Sequence, residues 1–217
     1  MIVTVGSPAM SMSNYVDEVR HAVTSLLPVI WDEYNVLQDL QSRLEGLTRQ
    51  MEDEYGRAAW LALNAEDAED VALAAGMHWD AYWGADKQHH DQGTLLPELQ
   101  AAVDTHRFSA EALAGALIQQ GKQGISIVHG GLASAPQGRQ IGTSGCLRNV
   151  IWQARNQALH WEDRSFKAGV VGCFDALAAE VDPVFTEYTQ RNMSFEVVKL
   201  LGWRSMRAFE VDLLSLA

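Results

Sequence analysis

VDEVRHAVTSLLPVIWDEYNVLQDLQSRLEGLTRQM, residues 16–51, is the stretch that sets the fold class. Its apolar residues include Val16, Val19, Val23, Leu26, Leu27, Ile30, Tyr34, Leu37, Leu40, Leu44, Leu47 and Met51. They recur mostly in steps of three and four, which places them along one face of a helix, whereas a strand would alternate. Ser13 is the candidate N-cap, with Asp17 and Glu18 near the positive end of the helix. Pro28 carries no N–H, so it is expected to bend the run or split it into two consecutive helices, and Gly46 weakens it.

Outward from this run, helical patterning continues. Residues 58–87 are alanine-rich and acidic and read as short helices, with Asn64-Ala65-Glu66-Asp67 as a cap and Gly76 as a stop. Lys87 to Gly93 is polar and reads as a loop, and Leu95 to Val103 as a turn or two of helix. Ser109 opens a helix to about Gln120. Ile125-Ser126-Ile127-Val128 has strand-like composition but no second strand to pair with, and His129 to Gly145 reads as loop. Further helices are expected over 146–167 and from about Gly172 to Thr189, with Pro183 inside or ending the latter. Ser194 is the expected cap for a helix to Leu201, Gly202 its stop, and Ser205 the cap for a last helix from Met206. No repeat of 20–50 residues is visible, so the expectation is an all-α helical bundle, taken as a single domain.

Composition bounds the function. The chain has 217 residues, 47% of them hydrophobic, enough to close a core. Residues 1–12 have no basic region followed by an apolar core, and Ala168 to Ala179 is too short and too interrupted by Asp175 to span a bilayer. Cys146 and Cys173 are too few for a disulfide framework and read as reduced thiols, so a cytoplasmic protein is expected. The Asn192-Met193-Ser194 sequon is accordingly read as chance. The net charge of -12 argues against broad nucleic-acid binding. The acidity is concentrated, however: residues 32–111 hold 17 acids and 5 bases, leaving 11 of each elsewhere. Over 139–167, Arg139, Arg148, Arg155, Arg164 and Lys167 outnumber Glu162 and Asp163, so an anionic ligand has one place to go.

That place contains Arg155-Asn156-Gln157-Ala158-Leu159-His160. On a helix Asn156 and His160 lie about 40° apart around the axis and Arg155 and His160 about 140° apart. One helix therefore does not readily aim both at one atom, whereas two copies related by a two-fold axis can bring Arg and His together. Arg offers a permanent cationic fork for a phosphodiester, and His a proton donor or acceptor. Metal-free RNA cleavage needs a base for the 2′-hydroxyl, stabilisation of the charged phosphorane and an acid for the 5′-oxygen. Paired segments supply groups of each kind.

The hexapeptide resembles the HEPN signature, an Arg followed by a polar residue and, a few positions later, a His. The resemblance extends to Ile151-Trp152-Gln153-Ala154, Trp161-Glu162-Asp163, Gly138-Arg139-Gln140-Ile141-Gly142 and the segment Val197 to Trp203. It covers roughly residues 109–217, leaving an acidic N-terminal helical region over about 13–104. The resemblance implies a HEPN-like bundle with additional N-terminal helices, homodimeric, acting as a metal-independent endoribonuclease of the kind found in toxin–antitoxin and defence systems. It implies catalytic roles for Arg155 and His160, support from Asn156, an RNA substrate, no cofactor or metal, and an antitoxin or regulatory protein as a further partner. Arg139, Arg148, Trp152 and Trp161 are the candidate RNA contacts, the tryptophans by stacking on bases. Lys122 and His129 border the motif as well.

Bland readings stand beside these. Arg155 pairs with Glu162 or another acid and His160 packs as a core histidine; or the bundle is a non-catalytic module that binds a nucleotide or a protein. Glu18-Val19-Arg20-His21 has the Glu-x-x-His spacing of di-metal bundles but lacks a second copy. Asp86-Lys87-Gln88-His89-His90-Asp91 reads as a solvated loop rather than a metal cluster. The glycines of 130–145 follow no phosphate-loop pattern and read as turns.

Overall fold

The computed structural model describes residues 10–64 and 68–217 and is all-α apart from one small hairpin. In order, α1 spans Met12–Leu63, α2 Ala68–His129, β1 Gln140–Ile141, β2 Gly145–Cys146, α3 Leu147–His160 and α4 Ala168–Glu180. A 3-10 helix then covers Pro183–Thr189, followed by α5 Ser194–Leu201 and α6 Met206–Leu214. The chain divides into two compact units, residues 33–107 and the remainder.

Within the larger unit, α1 starts at a cap two residues earlier than the sequence suggested, since the Ser11 hydroxyl accepts the Asn14 N–H at 3.2 Å. The helix runs unbroken through Pro28. A helix-interior proline costs about 3 kcal/mol, but each large apolar side chain fully buried returns about 1.5–3 kcal/mol. Val23, Leu27, Ile30 and Trp31 around it are all buried. Packing outweighs the local defect.

α2 corrects several expectations. Lys87–Gly93 is helical rather than a loop, Gly76 does not end the helix, Ser109 lies inside it, and Ile125–Val128 is its last part rather than a strand. Two glycines near the end of α2 serve packing. A Cβ at Gly121 would lie 3.2 Å from Ile151 and Trp203, and one at Gly124 would lie 2.7 Å from the Tyr15 ring. Tyr15 donates its hydroxyl to the Gln120 carbonyl at 2.6 Å, and burial raises its pKa to about 12. The suggested cap at 64–67 falls mainly outside the described residues.

After α2 the chain forms the antiparallel β1–β2 hairpin, pairing Gln140 with Cys146 and Ile141 with Gly145. Gly142 turns it with φ 65°, and a Cβ there would meet the Glu180 carboxylate at 2.6 Å. Glu180, in the last turn of α4, accepts the backbone N–H groups of Thr143 and Ser144 at 2.7 and 3.0 Å and the Ser144 hydroxyl at 2.7 Å. Those bonds, the Ser144 hydroxyl foremost, lower its pKa to about 2. The exposed N–H groups at the start of α3 are met by backbone: Leu147 donates to Arg139 and Arg148 to Gln137.

The expected helix over 146–167 ends at His160, and that over 172–189 resolves into α4 and the 3-10 helix, separated where Asp182 caps Val184 before Pro183. Met193, rather than Ser194, stands at the N-cap of α5, and the Asn192 side chain just before it accepts the Ser194 N–H at 2.9 Å. Gly202, at φ 71°, ends that helix and Ser205 caps α6, as the sequence indicated. The core centres on fully buried Trp203, Phe174, Phe209, Leu147 and Ile151, with the Trp203 and Phe209 rings edge to face at 4.9 Å.

The unit of residues 33–107 has Leu37, Leu99 and Val103 buried, and His106 Nδ1 lies 2.7 Å from Glu33. Trp60 and Leu63 are exposed.

Candidate functional site

α3 carries two kinds of polar side chain. One kind belongs to the fold. Gln157 is completely buried; its amide nitrogen donates to the carbonyls of Tyr188 and Arg191 at 2.8 and 2.7 Å, and its oxygen accepts the Met193 N–H at 3.0 Å. It closes the turn between the 3-10 helix and α5, which has no ladder to satisfy these groups. Arg191 secures the same turn through Glu187 at 2.6 Å, Glu111 at 2.9 Å and Glu196 at 3.4 Å. Burial alone would lower the Arg191 pKa, but the bonds to Glu187 and Glu111 outweigh it and the net shift is upward.

The other kind forms a stripe. Asn149, Gln153, Asn156 and His160 follow one another by four, three and four residues and so share one face of α3. The Asn156 amide donates to Gln153 at 3.3 Å, and Gln153 donates to Asn149 at 3.4 Å. Gln153 is buried against Gly169 of α4, where a Cβ would lie 3.0 Å from its nitrogen. The stripe thus lies in the seam between α3 and α4, and a cavity opens near each end.

At one end Asn156 and His160, with Ser165, Phe166, Lys167 and Val170, line a cavity of about 230 Å³. His160 is 57% exposed and contacts the still more exposed Asp163 at 3.1 Å. The loop beyond includes Arg164 at φ 51°, a left-handed conformation unusual for a non-glycine residue. Lys167, the residue at the N-cap position of α4, makes no side-chain cap bond and shares the cavity lining with the imidazole. Ordinary small-molecule clefts hold about 300–1,000 Å³, so this space suits a phosphate group or one nucleotide fragment.

Arg155 is not among the residues lining that cavity. Its Nε donates to Gln119 of α2 at 2.8 Å, and neighbouring Trp152 lies beneath Lys122, whose Nζ is 4.6 Å from the ring centre. Within one chain, Asn156 and His160 are brought together and Arg155 is turned towards α2. Arg139 binds Asp212 through two bonds of 2.7 and 2.9 Å and also donates to the Leu201 carbonyl. Asp212 in turn accepts the Trp203 indole N–H. Arg148 donates to the Ala135 carbonyl, and Trp161 is half-buried. Sequence reasoning missed Asn149, Gln153 and Ser165 as cavity or seam residues, although the spacing of the stripe was visible.

Among the described residues no three His, Cys, Asp or Glu side chains gather closely enough to hold a metal ion. Burial pushes the Cys173 thiol up to about 12, which leaves it a packing group. Among the described residues no helix is long and apolar enough to cross a membrane. Compared with family models, curated proteins and solved structures, the chain matches none.

Proposed function

We propose that this protein is a metal-independent endoribonuclease of HEPN type, acting as a homodimer in the cytoplasm, as a toxin or defence effector under the control of an antitoxin or regulator. The observation that carries this reading is His160: an exposed imidazole beside Asn156 and Lys167, at a cavity the size of a phosphate-bearing fragment. The resemblance of residues 155–160 to the HEPN signature supports it independently.

In this reading two α3 helices face each other, so that Arg155 of one copy reaches the phosphate held at His160 of the other. One imidazole accepts the 2′-hydroxyl proton as that oxygen attacks phosphorus, and the Arg155 guanidinium, with Lys167, stabilises the charged intermediate. The bond from phosphorus to the 5′-oxygen breaks, and that oxygen takes a proton from the second, protonated imidazole. The products are a 2′,3′-cyclic phosphate and a 5′-hydroxyl; no redox partner or cofactor is needed. Asn156 accepts or donates a bond that holds the reacting hydroxyl. The opposed direction of Arg155 within one chain favours a second reading, a non-catalytic module that binds a nucleotide or a protein.

Incubation of RNA with the full chain in excess chelator separates the two. The expected result is cleavage with cyclic-phosphate ends, reduced at least about 100-fold by His160→Ala, with the helical circular dichroism unchanged. Mixing Arg155→Ala with His160→Ala chains should not restore the activity, since the mixed dimer retains only one of the two imidazoles that the step requires. Cleavage that survives His160→Ala removes the catalytic role, and no cleavage by the wild-type chain leaves the binding module.

A further inference from the structure

The second cavity of the α3–α4 seam, about 270 Å³, is lined by Asn149, Ser144, Gly169, Gly172, Ala176 and Glu180 among others. We propose that it is a nucleobase subsite, taking the base of a nucleotide adjacent to the phosphate at His160, so that the substrate is single-stranded RNA read at one position by Asn149. The inference rests on the assignment of the phosphate to the His160 end.

Three observations carry it. Asn149 and Asn156 are seven residues apart, about 10 Å along the helix, so the two cavities are spaced for neighbouring parts of one nucleotide chain. The charges at the two ends differ. Lys167 lines the cavity at His160, whereas the Glu180 carboxylate lines the other, where its three hydrogen bonds keep it ionised and repel a phosphate. A neutral, flat group with a polar edge is what remains, and a base has that character. Finally, Gly169, Gly172 and Ala176 among the residues that α4 contributes to the wall let a planar ring approach the backbone, while Gln153 donates to the Asn149 oxygen and leaves its amide N–H groups to donate to a base acceptor. The hydrogen-bonded chain from Asn149 through Gln153 to Asn156 links the two ends, so filling one positions the other.

Gly172 provides the test, because an added Cβ there meets no atom within 4 Å. A leucine at this position adds bulk at the cavity wall, and unchanged helical circular dichroism checks that the fold is kept. Single strands blocked by 2′-O-methylation, and counterparts with an abasic nucleotide at each position in turn, are titrated into the full chain and followed by fluorescence anisotropy. The expected result is one position at which loss of the base weakens binding about tenfold, the scale of one stacked base. Gly172→Leu and Asn149→Ala should weaken the complete strand to a similar degree and leave the strand abasic at that position unaffected. Equal binding of complete and abasic strands to the wild-type chain, unchanged binding by both variants, or no binding of any blocked strand overturns the subsite. Blocked strands cannot be cut, so base-dependent binding without cleavage of ordinary RNA would sink the nuclease reading alone. Cleavage accompanied by base-indifferent binding would sink this inference alone.

Discussion

Gln157 and His160 stand three residues apart on α3 in very different surroundings. The glutamine is wholly buried and joined to three backbone groups from residues 188–193, whereas the histidine is 57% exposed and contacts a surface carboxylate. Both belong to the same hexapeptide, and both are polar residues on a helix that otherwise packs by its apolar side. The difference shows that a short motif can mix residues that build a scaffold with residues that the scaffold presents. Burial and partner identity, not position in the motif, separate them.

The largest effect expected from this contrast is on stability. Gln157→Leu keeps the volume but leaves two carbonyls and one N–H without partners, each costing about 1–3 kcal/mol. A loss of about 3 kcal/mol or more in denaturant unfolding is expected, against less than about 0.5 kcal/mol for exposed His160→Ala. Equal midpoints for the two variants would mean that the turn at 188–193 is held by Arg191 without the glutamine.

How far each residue was legible follows from where its partners lie. The stripe Asn149, Gln153, Asn156 and His160 is readable because its periodicity is local to one helix. The role of Gln157 was not, because its partners are 31, 34 and 36 residues away and are backbone atoms that leave no sequence pattern. The same limit explains α2. The helix from Ser109 read locally as ending near Gln120, before a strand-like Ile125-Ser126-Ile127-Val128, and only the side chains of Tyr15, Ile151 and Trp203 packed against Gly121 and Gly124 show why it continues. Arg139 likewise read as a candidate RNA contact, and its bond to Asp212, which is 5% exposed and 73 residues away, left no local pattern. Caps and stops such as Ser205 and Gly202 were legible, since their partners lie within one turn.

An intermediate effect is expected where α4 meets the hairpin. The Glu180 carboxyl is lowered from 4.5 to about 2 by its bonds to Ser144 and Thr143. A depressed carboxyl contributes stability that is fully present above its unfolded value of 4.5 and is lost as pH falls through its folded value, so the clamp weakens between those limits. Nuclear magnetic resonance of the Thr143 and Ser144 amides should report a midpoint near 2. A midpoint near 4.5 would show a hairpin that does not need the carboxylate.

The smallest effect sharpens the seam itself, through two glycines three residues apart on α4. At Gly172 an added methyl meets nothing, so Gly172→Ala should raise stability by about 0.5–1 kcal/mol through helix propensity and a less flexible unfolded chain. At Gly169 the same methyl lies 3.0 Å from the Gln153 nitrogen and 3.3 Å from its Cδ. Gln153 is 8% exposed and is bonded at both ends, so it has little room to yield. Gly169→Ala should therefore gain none of that propensity term, and it should disturb the Asn156 and His160 resonances, which Gly172→Ala leaves in place. If both alanines stabilise equally and neither moves those resonances, Gln153 shifts freely, and the chain of amides does not couple the Asn149 end of the seam to His160.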